Sequence, residues 1–114
     1  MTSHKRQRTL YVSDLDYTLL RSDASLGPYS VDVLNRAVEQ GVLFTYATAR
    51  SFSSSRRVTG AVRLRLPVIT YGGTITADPD SGAASDVQLL PNNTGTTLMR
   101  ICSCLLYTSD AADE

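Results

Sequence analysis

Leu10-Tyr11-Val12-Ser13-Asp14-Leu15-Asp16-Tyr17-Thr18 is the stretch that decides the fold. A β-favouring apolar run turns abruptly polar at Ser13-Asp14, which predicts a short buried strand with a loop at its carboxyl end. Downstream, Gly27-Pro28 marks a turn, and a helix is expected with Ser30 at its N-cap and Asp32 in its positive first turn. Val31, Leu34, Ala37 and Val38 repeat at helical spacing, and Gly41 supplies the stop. Val42 to Ala47 reads as a second strand ending at Thr48 and Arg50. Ser51 to Thr59 reads as a second helix, although serine favours caps over helix interiors. Pro67-Val68-Ile69-Thr70 is a third strand, closed by Tyr71-Gly72-Gly73. Strand, helix, strand, helix, strand predicts an α/β domain on a parallel sheet with right-handed crossovers. Ligands of such sheets bind beyond the carboxyl ends of the strands.

Two carboxylates two residues apart in extended backbone, Asp14 and Asp16, point the same way while Leu15 points back to the core. Paired anions repel, so they call for a shared proton or a hard cation. Mg2+ suits the second case, since it takes oxygen ligands, few protein carboxylates and phosphate oxygens. Asp14 is then the candidate nucleophile toward phosphorus. Asp16, its pKa expected to rise beside a like charge, is the candidate acid and base. Taken alone, the same pair also fits two surface aspartates in a loop.

Leu10 to Leu20 resembles the first motif of the haloacid dehalogenase superfamily, D-x-D-x-T after a hydrophobic strand. Ala47-Thr48-Ala49-Arg50 resembles its second motif. Val68-Ile69-Thr70-Tyr71-Gly72-Gly73 is similar to the segment after the third strand in the branch with a large inserted cap, mostly phosphatases of sugar phosphates and related small metabolites. The resemblance implies a Rossmann-like three-layer core with a parallel sheet. It implies Asp14 as nucleophile and Asp16 as acid/base, with Mg2+ held by the Asp14 carboxylate and the Asp16 backbone carbonyl. Thr48 would donate to a phosphate oxygen, Thr18 would brace the loop, and Gly72 and Gly73 would let backbone approach the ligand. Tyr17, Ala49 and Gly72 depart from the residues common at those positions, which bears on specificity.

The family completes its site with a lysine and a distal acidic motif. Here the only lysine is Lys5, ahead of the first strand, and the terminal acids Asp110, Asp113 and Glu114 follow no strand. The expected organisation is a leader over 1–8, a partial core over 9–77, the start of a cap over 78–103, and a tail over 104–114. That tail is similar to a translated sequencing-library adapter. The chain is expected to be truncated at the start of the cap and inactive by itself. Within 78–103, Asp78 to Gly82 reads as a turn, Asp86 to Leu90 as a returning strand, and Thr94 to Cys102 as the start of a helix.

Other features read structurally. Arg50 is expected to cap a helix or serve the scaffold, although it stands within reach of a phosphate. Ser51, Ser53, Ser54 and Ser55 read as a helix N-terminus and solvated face, Tyr11, Tyr46 and Tyr71 as packing, and Arg63 and Arg65 as a solvated edge. Across 114 residues, eleven basic side chains balance eleven acidic ones, so no overall field favours nucleic acid or membrane. No apolar run approaches a membrane span, and a cytoplasmic location is expected. Cys102 and Cys104 are too close for a useful loop-closing disulfide, and the sole histidine, His4, supports neither a zinc site nor a catalytic triad. A phospho-acceptor module of the response-regulator kind and a small-ligand-binding domain are the alternatives, and the oligomeric state is left open.

Overall fold

The computed structural model describes residues 8–109, with side chains as far as residue 105. Most of the expected leader and the acids Asp110, Asp113 and Glu114 lie outside the described residues. The order is β1 (Leu10–Asp14), α1 (Pro28–Glu39), β2 (Leu43–Ala47), α2 (Phe52–Thr59), β3 (Val68–Thr70), β4 (Ile75–Ala77), β5 (Ala84–Val87) and α3 (Thr94–Ser109). The strands form one sheet in the order β1-β2-β3-β4-β5. β1 pairs with β2, and β2 with β3, in parallel, so Asp14, Ala47 and Ile69 stand side by side. β4 and β5 extend this Rossmann-like parallel unit as antiparallel strands.

α1 begins differently from its expected start. Pro28 occupies the first turn, Gly27 is the N-cap without a side-chain hydrogen bond, and Ser30 lies inside the helix. A proline already has the φ of a first turn and lacks an N–H that would go unpaired there, so it sets the start without a serine cap. Asp32 instead pairs with Arg36 one turn later. The end is as expected: Gly41 has φ +91°. Its N–H donates to Val38 C=O and that of Val42 donates to Ala37 C=O, the paired bonds of a glycine-terminated helix.

Leu15, Leu20, Tyr46, Val62, Leu64 and Val68 form the core, and Val31 and Leu34 of α1 and Phe52 and Val58 of α2 pack against it. Arg63 and Arg65 alternate with buried Val62 and Leu64 and are exposed, as the pattern predicts. β1 is not the buried strand expected. Leu10, Tyr11 and Val12 are each about half exposed, and among the described strands β1 pairs with β2 alone. Of the three strand tyrosines read as packing, only Tyr46 is buried, while Tyr11 and Tyr71 are exposed.

The Asp78 turn forms as predicted. Its Oδ1 accepts from Asp80 N–H, Ser81 N–H and the Ser81 hydroxyl, and Gly82 takes φ +75°. The returning strand falls at Ala84–Val87 rather than Asp86 to Leu90, and the sheet therefore continues past residue 78. α3 runs on through Ser109. No described helix is long and apolar enough to cross a membrane.

Leu15 is fully buried. Leu15→Ala should therefore lower the unfolding free energy by about 2–5 kcal/mol, a large fraction of a small domain's total. Urea unfolding measures this, and an unchanged midpoint would contradict the assignment of Leu15 to the core.

Candidate active site at the strand tips

Burial of Leu15 divides the two aspartates from the core and sends both toward solvent beyond β1. Asp14 Oδ1 accepts the Leu15 N–H at 2.7 Å, so one carboxylate oxygen is fixed by the chain itself. Leu15–Leu19 then makes one wide, non-helical turn, extended at Asp16, closed by Leu20 N–H donating to Leu15 C=O at 2.9 Å. Tyr17, at its centre, has φ +60° and is 94% exposed. Thr18 is exposed too, and this backbone bond closes the loop.

Thr48 follows β2 and is nearly buried. Its N–H donates to Ile69 C=O of β3 at 2.9 Å, and its carbonyl accepts from Gly72 N–H at 2.9 Å. Its Oγ1 accepts the Arg50 N–H at 3.1 Å, which leaves the hydroxyl proton for another acceptor. After β3, Tyr71, Gly72 and Gly73 all take positive φ, at 50°, 64° and 98°. A Cβ added at either glycine would meet no heavy atom within 4 Å. The left-handed backbone at both positions disfavours side chains. The Tyr71 and Gly72 N–H groups brace the second loop, the former donating to Arg50 C=O.

Arg50 is the residue whose place the sequence reading missed. Its Nε and Nη2 donate to Asp16 Oδ2 and Oδ1 at 2.9 and 2.8 Å, a two-pronged pair. Nη1 donates to Ser54 Oγ at 3.2 Å. The signal available was its position, three residues beyond the end of β2, the strand that neighbours β1. The pair also reverses an expectation. Hydrogen bonding from Arg50, reinforced by its charge and opposed by partial desolvation, holds the Asp16 carboxyl below the ordinary carboxylate range rather than above it.

The serines after Arg50 are scaffold. Ser51 caps α2 by accepting Ser54 N–H. Ser55, expected on a solvated face, is buried against the Tyr46 hydroxyl at 2.8 Å. A cavity of about 360 Å³ lined by Asn35, Glu39, Arg56, Arg63 and Arg65 lies at the other end of the sheet. There the Arg56 guanidinium bonds to Thr59 and Val62 carbonyls.

Among the described residues no three His, Cys, Asp or Glu side chains converge as a metal centre. The tip of β1 still offers two hard oxygen donors, the Asp14 carboxylate and the Asp16 backbone carbonyl, since Arg50 occupies the Asp16 side chain. That donor set fits an ion that keeps several waters and shares phosphate oxygens.

A family profile described as haloacid dehalogenase-like hydrolase matches residues 11–105. An HMP-PP phosphatase of Serratia proteamaculans is 33% identical over 78 residues, 68% of this chain and 28% of that protein. A phosphatase of the haloalkanoate (HAD) superfamily from Bacteroides thetaiotaomicron shares the fold with TM-score 0.72 at 21% identity, over 92% of this chain and 38% of its own. A haloacid dehalogenase-like hydrolase from B. subtilis gives 0.74 at 20% identity, over 84% and 33%. The chain thus spans about a third of the length of the proteins it matches.

The Asp16–Arg50 pair has a pH signature. A depressed folded pKa stabilises above the ordinary Asp value of 3.8 and loses that contribution as pH falls through the folded value. Arg50→Ala should flatten the acid limb of stability below about pH 4, read by thermal melts across pH. A limb of unchanged steepness would mean that the pair does not form in solution.

Proposed function

The chain belongs to the haloacid dehalogenase-like hydrolases, whose profile spans residues 11–105, and on that premise we propose that it carries the nucleophile end of a Mg2+-dependent phosphatase. The observation that carries this reading is the convergence of Asp14, Asp16 and Thr48 at adjoining strand tips, Asp14 lying in register with Ala47. A small phosphorylated metabolite is the substrate class, supported by the name of the Serratia relative. The place of work is the cytoplasm.

In the first step an Asp14 carboxylate oxygen bonds to phosphorus as the bond to the leaving oxygen breaks, and Asp16 gives that oxygen a proton. In the second, water attacks phosphorus, Asp16 takes its proton, and the Asp14 carboxylate is released with inorganic phosphate. Arg50 favours the ionised Asp16 that the second step requires, so proton donation in the first requires that pairing to loosen. Thr48 donates its hydroxyl proton to a phosphate oxygen, and Thr18, Gly72 and Gly73 shape the loops around it. The Asp14 carboxylate and the Asp16 backbone carbonyl would hold Mg2+, which would supply positive charge where phosphate and carboxylates meet.

A phospho-acceptor of the response-regulator kind needs its acceptor at the third strand's tip. There Thr70 is buried, with its hydroxyl donated to Ile75 C=O, and no acid stands at that tip. The β4–β5 hairpin continues the sheet to Val87, and the segment 78–103 is proposed to lead into a cap.

Charge decides what the chain does alone. Arg50 is the one described cation paired at the strand tips, and Asp16 occupies it. A like-charge contact between Asp14 and phosphate at about 4 Å and an effective dielectric near 20 costs about 4 kcal/mol. The chain by itself is therefore inactive, and a protein carrying it with the remaining family length is active. With para-nitrophenyl phosphate and Mg2+, Asp14→Asn in that longer protein should lower kcat about 10³-fold or more, and chelation of the metal should abolish turnover. Undiminished turnover by Asp14→Asn would sink the nucleophile assignment, and robust turnover by the 114-residue chain would sink its inactivity.

A further inference from the structure

We infer that Arg50 is a positioning residue for Asp16, and that the serine-rich start of α2 exists in part to hold it; the inference rests on the phosphatase reading above. The Asp16 side chain is 39% exposed, so solvent alone would leave its carboxylate free to rotate. Two parallel bonds from one planar guanidinium fix both the rotamer and the plane of that carboxylate.

Arg50 is itself fixed at three points. Nη1 reaches Ser54 Oγ in the first turn of α2. Its N–H is held by Thr48 Oγ1, and its carbonyl accepts from Tyr71 N–H. Ser54 is in turn set by its own N–H, which donates to the Ser51 hydroxyl. A continuous series of hydrogen bonds therefore runs from the helix cap through Ser54 and Arg50 to the candidate acid/base. Exposed ion pairs add little to stability, so the value of this one lies in orientation. Lysine would keep the charge and lose the fork, which separates the two contributions.

The first measurement uses this chain alone. In 15N-edited NMR the Arg50 Nε–H gives a resolved, exchange-protected signal that Asp16→Asn moves or removes and that Ser54→Ala weakens. A signal indifferent to Asp16→Asn overturns the inference. The second uses the longer active protein. Arg50→Ala should lower kcat about 10–100-fold with little change in KM, as loss of an orienting partner does, and Arg50→Lys should recover only a small part. Arg50→Ala added to Asp16→Ala should then cost nothing further. A raised KM at unchanged kcat, full rescue by lysine, or additive losses in the double variant would each show a different role for Arg50 and overturn the inference. Activity that survives Asp14→Asn is a separate result, because it removes the phosphatase reading whatever Arg50 does.

Discussion

Burying one leucine between two aspartates is the constraint on which the site depends. Leu15 enters the core where β1 gives way to the turn, and the flanking aspartates stay outside it, Asp14 exposed and Asp16 partly so. Leu15 is fully buried, and the wide turn that follows is closed on its own carbonyl. The carboxylates thus stay outside the core because apolar burial claims the leucine between them.

The other two strand tips are fastened to each other by backbone bonds. Thr48 N–H reaches Ile69, Gly72 N–H reaches Thr48, and Tyr71 N–H reaches Arg50, each at 2.9 Å. Such bonds demand unusual backbone at the third tip, where three successive residues have positive φ. Glycine adopts it freely at two of them, while Tyr71 is held there by its bond to Arg50. The side chain of Arg50 then links this braced pair of loops to the first. Separate turns in sequence become one surface because their polar backbone groups satisfy each other.

How far this was legible follows from the range of each interaction. The strands, the helical faces, the Gly41 stop and the Asp78 turn are set by neighbours a few residues apart, and the sequence displays them. The start of α1 was misplaced because a proline and a serine both suit a first turn and only one can occupy its first position. The exposure of β1 was not legible because apolar content shows what a strand is able to bury, whereas the elements packed on its two faces decide what it does bury. Arg50 and Asp16 lie 34 residues apart, and local patterning carries no sign of that pair. Seen from its own segment, Arg50 resembles a capping residue, which is why its connection to Asp16 is not legible there.

That pairing also bears on how the proposed chemistry divides between the two aspartates. A phosphatase of this design needs one carboxylate that stays a nucleophile and another that trades protons, and their environments must differ for the roles to differ. Here the difference comes from the second strand tip. Asp14 receives only a backbone N–H on one oxygen, which orients it and leaves the other to react. Asp16 receives a whole guanidinium, which neutralises it and lowers the repulsion its partner feels. Asp16 thus has a cation of its own within the chain, whereas the charge of Asp14 is left for the proposed metal to offset.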